Sequence, residues 1–185
     1  MVNPNLPERI VEEFGLPEHA KRSIIAKQTI VDWMASDDLE ALGALYSFLV
    51  ESRYAARIKP ALTFADYWRF ISRYFERCLR EDPSGEWAHS RYETGWDLAS
   101  WFAKIWEDSS VSLEEKADIK AWLATQYRSG NSEVRRAIVD ATLEHLFENR
   151  EIERFFEDWK DGDLSIAYTE AAQWSAKGGQ SGIVT

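Results

Sequence analysis

Arginine and histidine bind anions and move protons near neutral pH, and both occupy positions here whose helical phase points inward. Arg91 falls near the middle of the apolar side of WAHSRYETGWDLASWFAKIW, residues 87–106, within roughly 20° of Phe102 at about 100° per residue. His145 falls on the Ile138 side of a second helix, between Val134 and Thr142, with Glu148 at the edge of that face. A guanidinium, an imidazole, the Tyr92 phenol and the Glu148 carboxylate gathered in an aromatic interior would form a polar pocket. In it Arg91 binds an anion and His145 serves as acid or base. The plainer reading, and the favoured one, is a satisfied network that fixes how two helices pack. Arg91 then meets a carboxylate, because a buried ion is costly unless paired, and His145 donates to a nearby acceptor.

A second group of cations, Arg69, Arg73, Arg77 and Arg80, recurs at spacings of four, four and three along one helix face. Guanidinium pairs with carboxylate or phosphate in a bidentate fork, so the strip reads as a docking site for an anion or an acidic partner. The alternative is a solvent-facing or inter-helix stripe paired with Asp66, Glu76 and other acidic neighbours. Against these cations stands an acidic run: Glu144, Glu148, Glu151, Glu153, Glu157, Asp158, Asp161 and Asp163. It is either a solvated face or a surface that steers a basic protein, as an immunity protein does with a cationic toxin. Glu86 and His89 have the spacing of one half of a helical di-iron motif, but no second copy exists. Phosphate-binding loops, dinucleotide-binding glycine motifs, nucleophile elbows and zinc-protease motifs are absent, so neither a cofactor nor a metal is expected.

The elements that must position these groups are helices. Pro7 opens a first helix that Gly15 stops, and Pro17 opens a second running through Ile24, Ile25 and Ile30 to Met34. Ser36, with Asp37 and Asp38, caps a third from Leu39 to about Ile58, ended by Lys59-Pro60. Thr63 with Asp66, and Ser112 with Glu115, are capping boxes for two more. Asp82-Pro83-Ser84-Gly85 is a turn, Gly130 ends a helix, and Asn131 or Ser132 caps the next. A break near Asn149 precedes Ile152 to Trp159, and Asp163 caps the last helix. Strand signals are nearly absent.

The expected fold is all-α. A single domain over residues 1–177 holds about eight or nine helices in antiparallel hairpins, as an irregular bundle or a HEAT-like array, with a disordered tail at 178–185. The apolar side of residues 87–106 sweeps roughly 220°, so this segment is expected to be the central helix, wrapped by neighbours on several sides. Cys78 lies among apolar positions and reads as a small buried hydrophobe.

A net charge of −10 repels phosphate backbones and anionic lipid, so nucleic acid and membrane are poor partners and a basic protein is the suitable one. With no signal peptide, no apolar run long enough for a membrane span and one cysteine, the expected setting is the cytoplasm. The segment VRRAIVDATLEHLF, residues 134–147, resembles the second half of a HEAT-type repeat. Together HSRYETGWDLASWF, LEHLFE and FFEDW resemble a family of small bacterial all-helical proteins, over about the second half of the chain. That likeness rests on aromatic spacing and implies a fold but no activity. The function expected is protein binding through an acidic or aromatic-lined surface, in one version as an immunity protein or antitoxin. The alternative is a ligand-binding or catalytic pocket at Arg91, Tyr92 and His145.

Overall fold

The segment ALGALYSFL, residues 41–49, is apolar around its whole circumference, and such a helix has to be enclosed. In the computed structural model, which describes residues 6–15 and 24–178, it is enclosed. The fold is all-α. Its contacts divide the chain into two compact units, residues 1–90 and 91–185. Among the described residues no helix is long and apolar enough to cross a membrane.

The first unit comprises α1 (Leu6–Phe14), α2 (Lys27–Met34), α3 (Leu39–Leu49), the short α4 (Ser52–Ala55) and α5 (Phe64–Glu81). Two-residue strands β1 (Ile25–Ala26) and β2 (Ile58–Lys59) pair in parallel, with Ile25 opposite Ile58. Helix α3 buries Ala41, Leu42, Ala44, Leu45, Tyr46 and Leu49 against α1, α2 and α5. At Gly43 a Cβ would lie 2.3 Å from the Trp87 carbonyl oxygen, so only glycine permits that approach. The enclosed helix is therefore α3 rather than the segment at 87–106.

Several boundaries differ from the sequence reading. The proposed start at Pro17 lies outside the described residues. Ile25 is in β1, where its amide donates to the Arg57 carbonyl at 3.0 Å, and the helix begins at Lys27. Asp38, not Ser36, caps α3 by accepting from the Glu40 amide at 3.1 Å, while Ser36 Oγ accepts from Asp38. Helix α3 stops at Leu49 instead of reaching Ile58. The break at Glu51 lets the Tyr54 ring meet Phe48 and Phe14 edge-on, at 5.1 and 5.9 Å, while Phe48 and Phe14 stack at 4.7 Å. Arg57 closes the end of α1 by donating to the Phe14 and Glu13 carbonyls, at 2.5 and 2.9 Å.

The Thr63–Asp66 capping box is present, and Cys78 is buried on α5 among Phe70, Ile71, Tyr74, Phe75 and Leu79. The Lys27 ammonium, 2.5 Å from Asp66, together with the Thr63 amide and hydroxyl, holds the Asp66 carboxyl down at about 2. A depressed carboxylate stabilises the fold above its unfolded value near 4, and that contribution is lost as pH falls through about 2. Acid titration should therefore show Asp66→Asn with a shallower loss of stability between pH ~4 and ~2 than wild type.

After Asp82, in left-handed geometry at φ 50°, the chain is not helical until Arg91, although a helix from Trp87 is expected. The reason is Glu40. Its carboxylate accepts the amides of Glu86, Trp87 and Ala88 at 2.9, 2.8 and 3.2 Å, holding this stretch as a loop. Glu40→Ala should cost about 2 kcal/mol, read by urea unfolding, because three amides lose a charged acceptor together. A loss below about half a kcal/mol would show that water replaces it freely.

The second unit comprises α6 (Arg91–Glu107), α7 (Leu113–Ser129) and a continuous rod over residues 132–146. That rod is α8 (Ser132–Ala137), a π-helical stretch Ile138–Leu143 and α9 (Glu144–Leu146). Then come α10 (Arg150–Phe155), two 3-10 turns at Glu157–Lys160 and Gly162–Leu164, and α11 (Ser165–Gly178). Ser112 with Glu115, Asn131 and Asn149 provide the caps. Asp163 does not cap α11. Its carboxylate takes the Arg128 guanidinium at 2.6 and 3.1 Å. Phe102, Phe147 and Phe156 are fully buried at the centre. Lys120 seals them from the side, donating to the Phe155 carbonyl at 2.7 Å and to Asp158, with its ammonium over the Phe155 and Phe156 rings. The tail beyond Gly178 lies outside the described residues.

Candidate functional site

Helix α6 buries Arg91, Thr94, Gly95, Leu98, Ala99, Phe102 and Ile105, a stripe of roughly 140° rather than the 220° that its apolar residues sweep. Gly95 brings it against the rod. A Cβ there would lie 2.6 Å from Ala141 Cβ, and the Thr142 hydroxyl donates to the Gly95 carbonyl at 3.1 Å. One edge of the apolar arc is thus left uncovered. Tyr92, Trp96 and Ala103 occupy it, with Trp96 50% exposed and the Tyr92 and Trp96 rings 6.3 Å apart. Beside this edge runs a groove of about 480 Å³ lined by Trp96, Ala99, Ser100, Ala103 and His145.

His145 was expected inside, and the structure places it on the surface, its Nδ1 3.3 Å from Glu148 Oε1. The π-helical stretch explains the difference. Its wider turn takes up about one extra residue, which rotates everything after Leu143 by roughly 100° from the α-helical phase. That rotation carries the imidazole out of the core and into the groove.

Arg91 is buried as its phase demands, its side chain 9% exposed, and it pairs with Glu133 at 2.9 Å. Tyr92 is exposed, and Glu148 is exposed beside His145. Arg91 is therefore interior while Tyr92, His145 and Glu148 face solvent, so the four are not gathered into one buried pocket. The role found for Arg91 is to tie the start of α6 to α8.

The arginine strip serves the first unit. Arg73 donates to the Met34 carbonyl and to Asp37, at 3.0 and 2.8 Å, so it closes the end of α2. Arg77 donates to the Asp37 carbonyl at 2.8 Å and to Glu81, and Arg80 pairs with Glu76. Arg69 is exposed. The strip mainly fastens α5 to the α2–α3 turn, and Asp66, expected to face it, pairs with Lys27 instead. In the acidic run, Glu153 pairs with Arg150, Glu157 with Lys160, Asp158 with Lys120 and Asp163 with Arg128.

A second concavity, about 810 Å³, lies between the rod and α11. Tyr127, Arg135, Arg136, Val139, Glu144 and Trp174 are among its lining residues. Neither surface was singled out from the sequence. The available signal was the excess of apolar arc over what one packed stripe requires, and on α11 the eight-residue spacing of Ile166 and Trp174 on one face. Comparison of the chain with protein-family models, with curated proteins and with solved structures finds no match.

Proposed function

We propose that the second unit is a protein-binding module, and that the groove along α6 takes the apolar face of a cationic segment of another protein. The observation that carries this reading is Trp96, half exposed at the lip of a concave apolar surface, since tryptophan is a preferred anchor of protein interfaces. Charge supports a cationic occupant. Residues 91–185 hold 18 acidic and 11 basic side chains, so they carry −7 of the chain's −10. At the groove itself, Glu93 and Glu107 share the helical phase of Ser100 to within roughly 20°, and Glu148 stands beside His145. Lys104 is the nearest opposing charge on α6 by phase. Such a rim speeds encounter with basic segments and repels acidic ones.

A photo-crosslinking side chain placed at Ala103, with a control at exposed Glu114 on α7, tests this in native extract. The expected product forms from position 103 only, weakens as salt rises, disappears in Trp96→Ala, and maps to a lysine- or arginine-rich segment. Products identical from both positions, or a crosslinked segment that is acidic, would overturn it.

A further inference from the structure

The concavity between the rod and α11 has a different charge pattern from the groove, and the difference selects a different occupant. Ile166 is 63% and Trp174 51% exposed, two turns apart on the same face of α11, a larger apolar exposure than folding alone requires. In a unit with 18 acids to 11 bases, this strip sets Arg135 and Arg136 against Asp140, Glu144 and Glu170, so its charges nearly cancel. The charges are also sorted along the rod. The arginines stand at its amino-terminal end and Glu144 at the other, with Val139 and Asp140 midway. Arg135 is held in place by its own contacts, donating to the Tyr127 and Arg128 carbonyls at 3.0 Å each, with its guanidinium over the Tyr127 ring.

We infer that this strip is a self-association surface whose occupant is the same strip of a second copy of this chain, related by a twofold axis near Val139 and Asp140. Arg135 and Glu144 lie equally far on either side of that point. A twofold contact therefore sets Arg135 of each copy against Glu144 of the other, twice. On α11, the exposed Ile166 and Trp174 belong to the same strip and supply the apolar area that the contact buries. Elsewhere the unit's net negative charge opposes association of two copies, and the near-neutral strip is where that repulsion is least. The groove along α6, with its acidic rim, is the wrong surface for a second copy and the right one for a basic partner. The two surfaces are independent.

Sedimentation equilibrium of the full chain tests the inference. Wild type is expected to show a monomer–dimer equilibrium, and Ile166→Arg to weaken it about tenfold or more. Arg135→Glu alone and Glu144→Arg alone should each weaken it similarly, because like charges then face each other twice. An equimolar mixture of those two variants should recover dimer, as each swapped residue finds an opposite charge, and this recovery also shows that both variants are folded. A wild type that stays monomeric at hundreds of micromolar, or charge-swap variants that mixing does not restore, would overturn the inference. Trp96→Ala should leave the dimer unchanged, and Ile166→Arg should leave the crosslink from position 103 unchanged, so either reading can fail alone.

Discussion

Phe156→Ala is expected to destabilise the second unit by about 4 kcal/mol, the largest effect of any single substitution considered for it. Phe156 is fully buried, and its ring meets Phe102, Phe147, Phe155 and Trp159 at centroid distances of 5.0 to 6.1 Å. Removing it deletes the ring that joins α6, α9 and the 3-10 turn at Glu157–Lys160, and leaves a cavity bounded by other rigid rings. Rings anchored on three separate elements collapse poorly into such a space, which puts the cost toward the upper part of the usual range. Lys120 adds to it, because its ammonium loses one of the two ring faces it covers. Urea unfolding followed by far-ultraviolet circular dichroism reads the change. A loss under about 1.5 kcal/mol would mean that the neighbouring rings close the gap.

Gly95→Leu is expected to cost about 3 kcal/mol, although leucine is the better helix former by close to 1 kcal/mol. Packing decides the sign. The added Cβ alone would sit 2.6 Å from Ala141 Cβ and 3.3 Å from the Ala137 carbonyl oxygen, atoms fixed on the rod that cannot rotate away. Helix α6 must then back off, which also breaks the buried Thr142–Gly95 hydrogen bond. The groove suffers with the stability, since Trp96 and His145 stand on the two elements being pried apart. Gly95→Ala should show the same direction at smaller size, because its helical gain offsets part of the clash. Thermal unfolding of both variants beside wild type measures this, and an unchanged or raised midpoint for Gly95→Leu would contradict the packing described.

What the sequence makes legible is what local chemistry decides. The capping boxes at Thr63 and Ser112 and the cap at Asn131 involve residues two or three apart, and they fall where their side chains predict, while Asn149, read only as a break, also proves to be a cap. Arg91 was readable as buried and paired, because phase and the cost of a lone charge are local arguments. Glu133, its partner 42 residues away, was not. The width of an apolar arc sums over all faces of a helix and does not say which are covered. For that reason the segment at 87–106 looked central, while α3, shorter and plainer, is the helix enclosed by its neighbours. His145 shows a different failure. A helical wheel assumes constant phase, and six residues of π-helix upstream broke that assumption. The groove lies where these two misreadings meet.

A rod with a surplus residue has a consequence for length changes in its chain. Shortening it by one position within 138–143 would return those turns to the ordinary pitch, whereas the same deletion in α6 or α7 would throw every later side chain out of phase. The site should therefore accept loss of a residue with its backbone ladder intact, and with His145 still facing solvent, because the deletion and the return to ordinary pitch turn the later side chains by equal and opposite amounts. Chains otherwise like this one but a residue shorter at that turn would keep both the helix and the groove.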